Sequence, residues 1–303
     1  MTAEPTHPIE PAAPHKPLDS AAKRVKAALS AYRVPLLGLA ASVFAVGLAI
    51  SISRLDLALS DIALGYIALS AMIFVPVAFV YGAANFMIMA RGAGVKVSFA
   101  SAFKTSCVAQ FAEFLPIPGG AIVRGGALMR QGTRAASAAA HVTINALLWV
   151  ACAAMAGGLS LGLENTIALI IALCGLAGIL ACTLWIATRA GILIAIAALV
   201  MRVVGLFIAG ARLFAAFAAI GFVVAWLDLY PFVFATIAGS AAAIAPGGLG
   251  ISEAAAAALA LLSNIPPEAA FLAVGLNRLI GFAVSGIATG IITFTSSSDR
   301  AQA

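Results

Sequence analysis

From residue 34 to residue 294 the chain is a succession of apolar stretches, most of them about 20 residues long, with charges gathered at their ends. A helix of about 20 apolar residues matches the hydrocarbon core of a bilayer. The expected fold is therefore all-α: a polytopic transmembrane bundle. Composition agrees, with 63% hydrophobic residues, only 9% charged residues and a mean hydropathy of +1.12, whereas a soluble domain carries about 25% charged residues. These values exclude an ordinary soluble enzyme.

The net charge of +6 does not point to nucleic acid, because the Lys and Arg residues cluster where apolar runs end, as in the positive-inside pattern of membrane proteins. Residues 1–33 are polar and punctuated by Pro5, Pro8, Pro11, Pro14 and Pro17, with Lys16, Lys23, Arg24, Lys26 and Arg33 ahead of the first apolar run. That composition predicts a disordered basic cytoplasmic tail. The apolar run behind it is long and lacks a convincing cleavage site, so it is expected to remain as a spanning helix. Cys107, Cys152, Cys174 and Cys182 lie inside apolar runs with no CxxC spacing and no His–Cys cluster. They predict small buried packing residues, neither a disulfide framework nor a metal site.

Alternating the basic and acidic ends gives a topology. Val34–Ser53 crosses outward to Arg54, Asp56 and Asp61; Ile62–Ala90 returns, with a kink expected at Pro76, to Arg91 and Lys96. Val97–Arg134 is apolar on average but contains Lys104, Glu113, Arg124 and Arg130, and is interrupted by Pro116-Ile117-Pro118-Gly119-Gly120. Two prolines remove backbone donors and clash with preceding carbonyls, and paired glycines favour an unwound turn, so a hairpin dipping in from the cytoplasmic face is expected. Ser137–Leu161 and Asn165–Thr188 cross out and back. Gly191–Arg212, interrupted by Arg202, reads as a helix along the cytoplasmic interface, with a tilted or short span as the alternative. Leu213–Leu229 then crosses outward. Pro231–Leu262 breaks at Pro246-Gly247-Gly248-Leu249-Gly250, which predicts a second hairpin from the outer face, and Ala269–Phe294 returns to a short cytoplasmic tail, 295–303. The sum is six crossings and two hairpins entering from opposite faces, an arrangement expected of an inverted repeat. Both termini are expected in the cytoplasm.

Ionisable groups inside a membrane cost at least about 2.5–3.5 kcal/mol each on insertion scales, so they demand a reason. The candidates are Lys104, Glu113 and Arg124 around the first break, with Glu253 and Arg278 around and beyond the second. Glu113, Arg124, Glu253 and Arg278 are expected to line a polar path where the hairpins meet, the helix ends at each break offering amides to a phosphate. The competing reading is that these charges only neutralise one another and hold the hairpins in place. His141 and Asn145 lie four apart on one face and point to the same interior, though a lone His in an apolar helix is more often a packing residue. Gly158/Gly162 and Gly286/Gly290 have the small-xxx-small spacing of close helix contacts. No nucleotide fingerprint, Ser-His-Asp set, HExxH or paired-carboxylate motif is present. No catalytic residue, cofactor or metal is expected.

Three segments carry a resemblance: Phe114-Leu115-Pro116-Ile117-Pro118-Gly119-Gly120 followed by Arg124; Ala245-Pro246-Gly247-Gly248-Leu249-Gly250 with Glu253; and Asn277-Arg278-Leu279. With these the chain resembles the lysylphosphatidylglycerol synthetase/flippase transmembrane family over residues 34–294. The resemblance implies a protein of a bacterial-type inner (cytoplasmic) membrane that moves or handles lipids, in the best-known case flipping an aminoacylated phosphatidylglycerol made by an attached synthase domain. The likeness is to the translocase part alone, so no synthase activity is expected. Arg124, Glu253 and Arg278 carry over as matching positions. His141 does not: the family often has an Arg or acidic cluster early in this helix, and here the segment reads His141-Val142-Thr143-Ile144-Asn145. The implied partner is a membrane phospholipid or another anionic or aminoacylated lipid, with no nucleic acid. The alternative is a non-transporting accessory subunit that recruits a lipid-modifying enzyme, perhaps by its basic tail. An integral-membrane transferase is the least favoured reading.

Overall fold

A computed structural model describes residue 38 and residues 41–113, 118–241 and 248–301; the basic tail 1–33, Pro116, Pro246 and Gly247 lie outside the described residues. The described elements are helical, with no strand among them. Helix α1 covers Ala41–Arg54, the described part of the first apolar run, and α2 covers Leu64–Gly92. A π-turn at Ser70–Phe74 interrupts α2 just before Pro76. It accommodates the donor that proline lacks and the carbonyl its ring would strike, so the expected kink takes the form of one widened turn.

Two short helices follow, α3 (Phe99–Ala112) and α4 (Gly119–Arg130). Three long ones come next: α5 (Ala135–Ser160), α6 (Thr166–Ala190) and α7 (Ile192–Ala219). A second short pair, α8 (Tyr230–Ala241) and α9 (Ile251–Ala260), precedes the final helix α10 (Pro267–Ala301). Five helices are long and apolar enough to cross a membrane: α2, α5, α6, α7 and α10. The arms α3, α4, α8 and α9 have 14, 12, 12 and 10 residues. At 1.5 Å per residue none exceeds about 21 Å, short of the roughly 30 Å hydrocarbon core, so each pair can only enter and turn back. Because α5, α6 and α7 make three crossings between the pairs, the two hairpins enter from opposite faces.

The order long helix, hairpin, long helix occurs twice, as α2–(α3,α4)–α5 and α7–(α8,α9)–α10. Packing is reciprocal: α5 of the first unit lies on α8 of the second, α10 of the second lies on α3 of the first, and α2 and α7 pack together. This is the contact pattern of an inverted repeat. Alanine and glycine let the helices come close. A Cβ on Gly158 would sit 2.6 Å from the Ala168 carbonyl oxygen of α6, and one on Gly175 would sit 2.8 Å from the Ala151 oxygen of α5. Gly162 is not part of this contact, since it lies past the end of α5 with φ +88°. Cys107, Cys152 and Cys182 are buried packing residues as expected, whereas Cys174 is exposed on the outside of α6. Outward faces carry Leu180, Leu184, Ile196 and Phe294, all more than half exposed. Such a surface is stable only against lipid.

The stretch 191–229 differs from expectation. Instead of an interfacial helix over Gly191–Arg212 and a crossing at Leu213–Leu229, one 28-residue helix crosses from Ile192 to Ala219. The chain then turns at Gly221 (φ +82°) and enters α8 through a short 3₁₀ turn. Arg202, expected to interrupt an interfacial helix, and Arg212, expected to end it, therefore both lie within one span. The stretch 191–229 still contributes one crossing. One rim of the bundle carries Arg54, Asp56, Asp61, Glu164, Asp228 and Glu268, and the other Arg91, Lys96, Arg130, Arg134 and Arg189. Contacts across the first rim join its loops: Arg54 pairs with Glu268 at 3.1 Å, and Ser160 Oγ donates to the Leu227 carbonyl at 2.6 Å.

A single crossing by α7 is checked by placing cysteines at its two ends, Ile192→Cys and Val223→Cys, in a background without the native cysteines. A membrane-impermeant maleimide is expected to label them from opposite sides of sealed vesicles. An interfacial helix over 191–212 followed by a crossing at 213–229 would leave position 223 inside the membrane and unlabelled.

Candidate functional site

The described arms of the two hairpins and the repeat-related helices line a cavity of about 430 Å³. Helix α7 presents one stripe to it, Arg202, Gly205, Ala209, Arg212 and Leu213 among them, at the three- and four-residue spacing that keeps side chains on one helical face. Tyr81 and Asn85 enter from α2, Asn145 and Trp149 from α5, Glu113 and Arg124 from the first hairpin, Thr236 and Ser240 from the second, and Asn277, Arg278 and Gly281 from α10.

The second hairpin closes tightly. Gly248 takes φ +73°, and a Cβ on it would lie 2.7 Å from the Ser240 amide nitrogen; Gly250 caps α9 at φ +77°. Neither backbone conformation suits a side chain. Capping by Gly250 places Ser252 and Glu253 in the first turn of α9, where a carboxylate also complements the helix dipole. Glu253 is fully buried, and Arg278 Nη1 lies 3.1 Å from its Oε1 and donates to Oε2 at 3.3 Å. Arg278 Nη2 donates to Ser252 Oγ at 2.6 Å, and that hydroxyl donates to the Thr236 carbonyl at 3.3 Å. This chain of contacts ties α10 to both arms of the hairpin.

In the first hairpin Arg124 Nη2 donates to Glu113 Oε1 at 2.9 Å, joining the end of one arm to the other. Gly119 and Gly120 are not an unwound turn, as expected from sequence; they are the first residues of α4. Their smallness serves close approach instead. A Cβ on Gly119 would lie 2.8 Å from the Ala112 carbonyl carbon, and one on Gly120 would lie 2.6 Å from Glu113 Cγ. Pro118 opens α4, and its carbonyl accepts from Ile122.

Thus Glu113 pairs with Arg124 and Glu253 with Arg278, each within its own motif; no ion pair links the two motifs among the described residues. Lys104 is exposed on α3 and does not line the cavity. Asn145 does line it, and its side-chain oxygen accepts from Arg202 Nη2. His141, one turn away, faces a separate small recess, with Nδ1 2.9 Å from the Ser137 carbonyl and its ring edge-on to Trp185 at 5.1 Å. It is a packing residue.

Sequence reasoning missed Arg202 and Arg212 as site residues. Arg202 is 4% exposed; Nη1 donates to Tyr81 Oη at 3.1 Å, and its guanidinium carbon sits 5.4 Å from the centre of the Trp149 ring. All its contacts are neutral. Arg212 Nη2 makes a long contact to the Asn277 carbonyl at 3.4 Å, and a Cβ on Gly281 would come within 2.7 Å of that nitrogen. Among the described residues neither arginine has a carboxylate in ion-pair contact, and the buried Nε of each has no partner. The available signal was periodic. The only two charges in the apolar run 192–219 recur ten residues apart on the α7 face that also carries Gly205 and Ala209.

With this geometry in view, residues 36–288 match the family described as Lysylphosphatidylglycerol synthase TM region. The chain belongs to this family. No curated protein and no solved structure matches it. Membership covers both hairpins, α7 and the Arg278 segment, and makes the chain a membrane protein of a lipid-handling family.

The two charge pairs should differ sharply in weight. Removing one partner of a buried pair strands the other charge and costs about 3–5 kcal/mol, whereas a partly exposed pair contributes about 1 kcal/mol or less. Arg278→Met is therefore expected to lower thermal stability and folded yield strongly, and Arg124→Met only slightly. Replacing Glu253 and Arg278 together by leucine should recover much of the loss. Thermal unfolding of the purified variants in detergent checks this order.

Proposed function

We propose that this protein translocates lipids across the cytoplasmic membrane of a bacterial-type cell, the headgroup passing through the cavity between the two hairpins while the acyl chains stay in the bilayer. The observation that carries the reading is a cavity lined by both charged and apolar side chains, inside a bundle whose half-crossing elements enter from opposite faces. In such a fold each hairpin tip reaches the middle from one side, so tilting one repeat against the other opens the same site to either leaflet in turn. The lining suits a headgroup: guanidiniums, hydroxyls and amides lie beside apolar wall residues such as Val142, Ile208 and Val233.

The basic rim at Arg91, Lys96, Arg130, Arg134 and Arg189 is assigned to the cytoplasm by the positive-inside rule, which also puts both termini there. The charges that the cavity holds are explained by binding and gating without bond-breaking chemistry, so the protein is proposed to be a transporter and not an enzyme. Its partner is a membrane lipid.

The test is translocation in reconstituted vesicles. Headgroup-bearing fluorescent phospholipids are expected to move between leaflets with the protein present. Ala209→Phe, which fills the cavity from the α7 stripe, should slow that movement about ten-fold or more while the variant still purifies as a folded protein. If folded wild type moves no lipid, the transport reading fails and the accessory-subunit reading takes its place.

A further inference from the structure

We infer that the cavity is an anion path: Arg202 and Arg212 are two successive phosphate stations on α7, and the substrates are lipids with a net negative phosphodiester headgroup, to the exclusion of cationic, aminoacylated ones. This deepens the transport reading and rests on it for the word substrate. The charge pattern itself is independent of transport.

The argument begins with charge. Arg124, Arg202, Arg212 and Arg278 line the cavity; the carboxylates beside them are Glu113, which lines it too, and Glu253, buried behind Arg278. Those two carboxylates are already occupied by Arg124 and Arg278. Among the described residues Arg202 and Arg212 have no carboxylate in ion-pair contact, Glu113 acts on Arg212 only from a distance, and four arginines against two carboxylates leave two positive charges in excess. Charges removed from water are stabilised only by a partner of opposite sign or by a full set of hydrogen bonds, and here each Nε is buried and unsatisfied among the described residues. The neutral groups around Arg202, namely Tyr81, Asn145 and Trp149, hold the guanidinium in place without cancelling its charge. An anion is the simplest complement, and a planar guanidinium matches a phosphate through paired N–H donors.

Depth makes that anion a lipid headgroup. The midpoint of α7 falls between residues 205 and 206, so at 1.5 Å per residue Arg202 lies about 5 Å to one side of it and Arg212 about 10 Å to the other. Both positions are within the hydrocarbon core. Their backbone positions are about 15 Å apart along the axis, and the guanidiniums are held by separate partners, Arg202 by Tyr81 and Asn145 and Arg212 by the Asn277 carbonyl, so a headgroup would meet them one after the other across the middle. The cationic rim on the side of Arg202 draws anionic lipid toward the entrance. An aminoacylated headgroup would bring ammonium charge into a cavity with two uncompensated positive charges, and is repelled.

The experiment compares acyl-labelled fluorescent phosphatidylglycerol, phosphatidylcholine and lysyl-phosphatidylglycerol in vesicles holding the full chain, following loss of outer-leaflet signal. Phosphatidylglycerol is expected to move about ten-fold faster than the other two, and the Arg202→Gln/Arg212→Gln variant to bring it down to the phosphatidylcholine rate. Equal rates for all three lipids, or a preference for the cationic one, overturn the inference while leaving transport standing. A binding arm separates the two claims. Short-chain phosphatidylglycerol is expected to raise the thermal stability of the detergent-solubilised wild type more than short-chain phosphatidylcholine, with the difference lost in the double variant and retained in Arg202→Lys/Arg212→Lys. If no lipid moves but this difference is seen, the anion site stands and transport falls. If the two short-chain lipids act alike, the anion site falls. Glycerol 3-phosphate, with the same phosphate chemistry and no acyl chains, is expected to stabilise less than the lipid; a larger effect from it overturns the assignment to a lipid headgroup.

Discussion

At hydrocarbon depth no water solvates a backbone carbonyl or a guanidinium, and every such group must be satisfied by the protein itself or by a ligand. The architecture follows from this constraint. Helices α2, α5, α6, α7 and α10 close their own backbone bonds, while the described ends of the hairpin arms are held by neighbouring side chains. Gly250 capping α9, with Glu253 fully buried in its first turn against Arg278, shows how a broken helix is made tolerable in the interior.

The same constraint sorts the interior charges into two kinds. Glu113–Arg124 and Glu253–Arg278 are neutral as pairs, and the second is wired through Ser252 to the Thr236 carbonyl, so its first effect is to hold the hairpin to α10. Arg202 and Arg212 are different in kind, because their surroundings orient them without neutralising them. Structural and functional readings of intramembrane charge therefore both apply here, to different residues.

Close approach of backbones is the second theme. Gly158 against α6, Gly175 against α5, Gly119 and Gly120 against the end of α3, and Gly281 beneath Arg212 all occupy positions where a Cβ would collide with a neighbour. Lipid tails are as apolar as leucine, so burial alone gains little inside a membrane, and intimate packing of small residues supplies the cohesion. Arg202, Trp149 and Tyr81 are the larger side chains where α2, α5 and α7 face the cavity, and they contact one another there.

Length and hydropathy were enough to read the helical class and four of the five long spans, since a run of apolar residues at bilayer length has few other stable fates. The Pro-Gly breaks marked both hairpins, because proline next to paired glycines both removes a backbone donor and favours a turn, whereas the lone Pro76 is absorbed within α2. The pairing of Glu253 with Arg278 was legible only as a set of alternatives, since residues 25 positions apart meet through packing and not through periodicity. Arg202 and Arg212 were misplaced for a related reason. In a linear reading a charge marks the end of a span, and only the tertiary structure, by wrapping polar groups of α2, α5 and α10 around one face of α7, makes a charge inside a span tolerable. The sequence by itself determined that this chain is a membrane bundle with two broken elements; the packing of those elements decided which charges cancel and which are left to face a cavity, because cancellation depends on distances of 3 to 4 Å that no spacing along the chain can specify.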